Sequence, residues 1–220
     1  MSTILAILMI LTLVLTEHMR RKKKRVPVFT RQYIHPGHTW MRMTQDGDVM
    51  VGVDDFAAGV LGEISSIVLP RYLKKVRQGQ PSFTIDNKGR SVTFVSPVTG
   101  RVVEKNEMVL HYPALATVSP LRDGWLFKVH PSDLLNETRN LLAGRWAELW
   151  MELARTHLLR FFSMHPVPVS QDGGRIINDL ALHCSEEEWN TLKRELFFDM
   201  GSGAGSHSRS DQPVRQEVAQ

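Results

Sequence analysis

Between Trp40 and Val129 apolar and polar residues alternate in short runs: "TWMRMT", "DVMVGV", "EISSIVLP", "PSFTI", "SVTFVSP", "GRVVEKN" and "GWLFKV". A period of two marks half-buried strands. Turn signals separate the runs: Asp46-Gly47-Asp48, Gln78-Gly79-Gln80, Asn87-Lys88-Gly89, Pro97 with Gly100, and Asp123-Gly124. The pattern predicts a compact β-rich domain. One interruption, "VDDFAAGVLGE", predicts a helical turn capped by Asp54 or Asp55 and carrying Phe56, Ala57, Ala58, Val60 and Leu61.

After Pro131 the period lengthens. "SDLLNETRNLLAGRWAELWMELARTHLLRFF" places Leu142, Trp146, Leu149 and Leu153 at helical spacing, with Trp150 on the neighbouring edge. This stripe is expected to pack on the β domain or a partner helix, and Gly144 to weaken the helix where it falls. Beyond Pro166, Pro168 and Gly173-Gly174, Ser185 with Glu188 forms a capping box opening a short helix that carries Trp189, Leu192 and Leu196. The closing "GSGAGSHSRSDQPVRQEVAQ" has little to bury and is expected to be disordered.

The chain begins with sixteen residues lacking a charged side chain, "MSTILAILMILTLVLT". At ~1.5 Å per residue a helix of sixteen to nineteen residues spans roughly 24–29 Å, enough for a slightly thinned hydrocarbon core. Basic residues follow the run instead of preceding it, and no small-residue cleavage pattern appears, so an uncleaved anchor is expected over a signal peptide. The flank Arg20, Arg21, Lys22, Lys23, Lys24 and Arg25 places the body on the cytoplasmic side with the N-terminus outward, as a single-pass protein, and attracts anionic headgroups.

Composition changes this picture little. The net charge of +4 rests on that basic block: removing its six residues from 27 basic leaves 21 against 23 acidic, so nucleic acid is not an expected partner. The single cysteine, Cys184, has no disulfide mate in the chain and agrees with a reducing compartment.

The β region from His38 to Val129 resembles the H protein of the glycine cleavage system, a carrier that holds lipoate on a hairpin lysine. "HTWMRM" is similar to the family's H-E-W-V-R, and "VGVDDFAAGVLGEISSIVLP" to V-G-I-T-D-Y-A-Q-x-x-L-G-D-I-V-x-V-x-L-P. "SPVTGRVVEKNE" follows S-P-V-S-G-x-V-x-x-x-N-E, and "PLRDGWLFKV" the closing P-x-x-x-G-W-L-I-K-I. These ungapped blocks cover a little under half of the chain. The resemblance implies a mainly β barrel-sandwich hybrid of lipoyl type, no catalysis by the domain itself, and a lipoate arm that passes intermediates between enzymes. With the flanking segments, five parts are expected: a transmembrane anchor (1–19), a basic juxtamembrane linker (20–34), the β domain (35–131), a helical extension (132–200) and a tail (201–220).

The carrier motif of the family is E-S-V-K-A, with its lysine eight residues before the proline of S-P-V. Eight before Pro97 is Gly89; Lys88 is one place early, Asp86 stands where the glutamate belongs, and no hydrophobic residue precedes the lysine. Two readings follow. Asn87 and Lys88 suit the centre of a type I turn closed by a Gly89 bulge, an ordinary hairpin without lipoate. Alternatively, a slipped hairpin still presents Lys88 for covalent lipoate.

His35 and His38 form H-x-x-H, but Pro36 and Gly37 break a helix there and no third ligand stands nearby, so no metal site is expected. His183 and Cys184 are expected to be packing residues. No phosphate loop, nucleophile elbow or paired carboxylates appear. The expectation is a membrane-anchored, non-catalytic docking or scaffold module with an unidentified protein partner, the alternative being a lipoyl carrier modified on Lys88 beside a membrane redox complex.

Overall fold

The computed structural model describes residues 31–164 and 180–199. The expected anchor, the basic run, the Pro166–Gly174 turn region and the tail lie outside the described residues. Among the described residues no helix is long and apolar enough to cross a membrane.

Among the described residues nine strands form two antiparallel sheets: β1 (Gln32–His35), β2 (Thr39–Met43), β3 (Val49–Val53), β4 (Ser66–Val68), β5 (Lys75–Val76), β6 (Pro81–Asn87), β7 (Arg90–Val95), β8 (Gly100–Lys105) and β9 (Phe127–Pro131). The larger runs β1-β2-β3-β9-β8-β5 and the smaller β4-β6-β7. All seven runs predicted as strands contain one. The two unpredicted strands are β5, too short for an alternating pattern, and β1, which begins inside the stretch assigned to the linker because Gln32 to His35 pair with Arg42 to Thr39.

Alternation sets which side chains enter the core. Val49, Val51 and Val53 of β3 meet Phe127 and Val129 of β9 and Val102 of β8, and the small sheet adds Phe83, Ile85, Val92 and Phe94. Phe83 stacks on Phe94 at 5.3 Å and meets Phe127 edge-on at 5.6 Å, tying the sheets through aromatic contact. Trp40 lies across Gly52, its partner on β3, where any Cβ would stand only 2.7 Å from the indole.

Helix α1 (Asp55–Leu61) fills the predicted interruption, with Asp54 as its cap: the carboxylate accepts the Ala57 amide. Short helices α2 (Glu107–His111) and α3 (Leu115–Val118) follow β8, and α3 packs on α1.

The long amphipathic segment is not one helix. A turn of helix, α4 (Leu134–Glu137), and a 3-10 turn (Thr138–Asn140) lead to Leu142, which bridges to Ile34; α5 (Arg145–Met164) starts only after Gly144, at φ +56°. The predicted packing stripe is also corrected. Trp146, Leu149 and Leu153 are 71%, 44% and 63% exposed, while Ala147, Ala154, Leu158 and Phe161 face inward. This inward face joins small Ala147 and Ala154 to Leu158 and Phe161, and α5 contacts α1, whose buried residues include Ala57 and Ala58. Helix α6 (Leu180–His183) packs on α1, and α7 (Glu186–Phe197), opened by the predicted Ser185–Glu188 capping box, packs on β7. The core is one continuous cluster running from β3 through Leu158 to Leu192 and Phe197, so the extension shares the core of the β domain.

Candidate functional site: the β6–β7 hairpin tip

Strands β6 and β7 pair down to Asn87 and Arg90, leaving Lys88 and Gly89 as a two-residue loop. Both have positive φ, 49° and 92°. That is the signature of a type I′ turn, not the expected type I turn with a bulge. The reason lies in Asn87: its side chain is fully buried and donates to the Leu61 carbonyl at the end of α1, which keeps it in the strand. Lys88 therefore occupies a left-handed position favoured by Asn, Asp or Gly, and Lys88 and Gly89 share the apex.

The neighbouring α1–β4 segment holds the tip. Asp86 Oδ1 accepts the Gly89 amide at 3.0 Å and lies 2.8 Å from Ser65 Oγ, while the Lys88 amide donates to Ser65 Oγ at 3.0 Å. The Lys88 ammonium donates to Glu63 at 2.8 Å. Lys88 is 58% and Glu63 67% exposed, so this pair orients the side chain and adds little stability. Asp86 is thus turned back into the turn. The structure places Asp86, Lys88 and Gly89 at one tip and adds Glu63 and Ser65, which sequence reasoning missed because they stand more than twenty residues upstream and become neighbours only when β4 pairs with β6.

The extension closes over the adjacent strand. Thr93 of β7 donates its amide to Asp199 at 2.8 Å, and Arg90 donates to the Cys184 carbonyl at 2.9 Å. In this way Asp199 and α7 cover the free edge of the small sheet. Phe197, fully buried, meets Phe94 at 5.3 Å and His38 at 5.8 Å, both edge-on.

Under that cover lies a buried pair absent from the sequence reading. His38 Nδ1 and Asp54 Oδ2 are 2.8 Å apart, at 0% and 1% exposure. The His38 ring stacks on Phe56 at 4.3 Å and on Trp150 at 6.1 Å. A signal did exist: in the motif aligned above, Asp54 stands where the family pattern has threonine.

H-x-x-H does not converge on a metal. The His35 Nδ1 accepts the Gly37 amide at 3.0 Å while His38 turns to Asp54, and among the described residues no group of three ligands could hold an ion. Burial, with the nearby His38 adding to it, lowers the His35 pKa from 6.5 to about 4. Only a neutral ring can accept at Nδ1, so the geometry agrees. The unfolded chain takes up a proton below about pH 6.5 and the folded one resists it. The stabilisation is whole above that pH and is lost as pH falls toward 4. His35→Leu should flatten the decline in melting temperature between pH 7 and 4; an unchanged slope would contradict this account.

Of His183 and Cys184, the cysteine packs as expected and the histidine is exposed. Burial, reinforced by Glu188 and opposed by Arg90, pushes the Cys184 thiol up to about 11, which makes it a poor nucleophile at neutral pH.

Two antiparallel sheets sharing one core, with a hairpin presenting a lysine at one end, define a domain of the lipoyl carrier type. The family model of the glycine cleavage H-protein matches residues 31–152, and the chain belongs to that family. The matched span passes β9 into the first turns of α5. Among curated relatives, the glycine cleavage system H protein of Teredinibacter turnerae is 34% identical over 97 residues, covering 44% of this chain and 75% of that protein. The H protein of Streptomyces avermitilis is 36% identical over 103 residues, covering 45% and 82% respectively. A solved glycine cleavage system H protein from Mycobacterium marinum aligns with a TM-score of 0.44 at 26% identity, over 47% of this chain and 85% of that one. Members of this family are non-catalytic carriers, so the domain's expected role without chemistry of its own has a family basis.

Proposed function

We propose that this protein is a membrane-anchored docking module in which the H-protein fold is kept and lipoyl attachment has been lost. The observation that carries the reading is the state of the tip. Asp86, in the place of the family's glutamate, is spent on the turn, the lysine ammonium is paired to Glu63, and the extension is fastened to β7 at Arg90 and Thr93. A modifying enzyme reads the tip and its flanks in three dimensions, and here one flank is covered. Anchoring is supported by the apolar run and the basic block, which keep the body cytoplasmic. The partner is a protein that uses the remaining surface of the β domain.

One observation favours a second reading, a lipoyl carrier modified on Lys88. The lysine sits at the apex, mostly exposed, in a left-handed conformation uncommon for its type. Intact mass after co-expression with lipoate and a ligase separates the two. The docking reading expects no adduct; a gain of about 188 Da, abolished by Lys88→Arg, would establish the carrier.

A further inference from the structure

We propose that the outward stripe of α5, formed by Trp146, Leu149 and Leu153, rests on the anionic surface of the bilayer that the N-terminal segment enters. This rests on the anchoring reading above and adds where the domain sits and which face it turns to lipid.

The stripe is a second apolar face on one helix. Residues 146, 149 and 153 share a side, and Thr156 and Arg160 continue it at the same spacing. It points away from the core, which α5 meets through Ala147, Ala154, Leu158 and Phe161. Exposed Arg145 and Arg160 stand near its two ends. The helix's acidic residues Glu148 and Glu152 are turned toward Gln32 and Asp55, where with Met151 and Arg155 they line a separate pocket of about 380 Å³. Positive charge thus stands at both ends of the apolar stripe, and Glu195 of α7, which lines a second pocket with Leu153, Thr156 and Arg160, is paired to His157 at 2.8 Å. A tryptophan and leucines flanked by arginines form a face suited to the headgroup boundary.

The path of the chain brings this face to the membrane. Ile34 and Leu142 exchange both backbone hydrogen bonds at 2.8 Å, running antiparallel. Three residues back, the Arg31 guanidinium lies beside Gly144, 3.3 Å from where a Cβ would stand. Trp146 follows two residues later. The basic block ends at Arg25, and six residues reach at most roughly 20 Å. The end of the basic block therefore lies within that distance of Arg31, whose guanidinium stands beside Gly144, two residues before the stripe begins.

A second copy of the chain fits the stripe less well. Three large side chains offer on the order of 400–500 Å², below the ~800 Å² per partner of a stable interface. Such a patch is weak alone, but an anchor joined to the same domain by a short linker supplies a high effective concentration of lipid.

The test uses the full chain in vesicles of phosphatidylcholine with one quarter phosphatidylglycerol, with and without brominated phosphatidylcholine. Of the five tryptophans none lies in residues 1–30, and only Trp146 is exposed among them. Flotation reports anchoring, and the quenching lost on Trp146→Phe reports the face. The expected result is flotation, with at least a twofold loss of the Trp146 emission in brominated vesicles. Leu149→Glu with Leu153→Glu should still float and lose that quenching. Flotation without quenching of Trp146, whether protein or water covers it, overturns the proposal and leaves the anchor standing; failure to float overturns both. Unchanged quenching in the double variant also overturns it.

Discussion

Phe197→Ala is expected to cost about 3–5 kcal/mol and to free the edge of the small sheet, an effect far larger than its position near the end of α7 suggests. The ring is fully buried and is held edge-on by Phe94 of β7 and by His38. Removing it leaves a cavity against the rings of Phe94 and His38, between the two halves of the shared core. Chemical unfolding followed by tryptophan emission measures the loss. Hydrogen exchange locates it: the Thr93 amide, which donates to Asp199 two residues beyond Phe197, should lose protection before the amides of β3 do. Trp146→Ala on α5 provides the contrast, because an exposed side chain should change stability by no more than about 0.5 kcal/mol. Equal costs for the two substitutions would mean that the extension does not share the β core.

Asp54→Ala should cost about 3 kcal/mol, the second largest effect. One carboxylate does two things: Oδ1 caps α1 through the Ala57 amide, and Oδ2 meets His38 in a site closed to water. Loss of a cap costs ~1 kcal/mol, and leaving a buried polar partner unsatisfied costs a further ~1–3 kcal/mol. The His38 Nε2 already has no partner among the described residues, so losing Asp54 would leave both ring nitrogens unsatisfied. Asp54→Asn separates the two roles. It keeps a capping oxygen and a polar group toward His38, and should cost no more than about half as much. If asparagine proves as damaging as alanine in urea unfolding, the charge itself holds the pair. If neither variant is destabilised, the pair is not a structural element.

Much of this organisation was legible in the chain. The seven runs of period two all overlap strands, the Ser185 capping box forms as expected, and Asp54, one of the two residues expected as the cap, caps α1. The H-protein resemblance was legible too, because its motifs are contiguous. The tip was legible in membership only: Asp86, Lys88 and Gly89 stand together, but the turn type depends on Asn87 reaching the Leu61 carbonyl 26 residues away. Composition could not foresee that contact, since Asn, Lys and Gly suit a type I turn with a bulge equally well.

The stripe on α5 shows where sequence reasoning stops. Periodicity grouped Leu142, Trp146, Leu149 and Leu153 on one face; the last three share a helix face, Leu142 lies before the helix in a bridge to Ile34, and periodicity could not say which way the face points. The same helix carries a second face of Ala147, Ala154, Leu158 and Phe161, and it is this face that the folded core takes up. By itself the sequence determined seven of the nine described strands, the Ser185 capping box, the family and most of the grouping of residues on faces, because these depend on neighbours within a few positions. The tertiary structure alone decided the turn at Lys88, the burial of His38 with Asp54 and the direction of the α5 stripe, because each depends on shape and partners that distant parts of the chain supply only after folding.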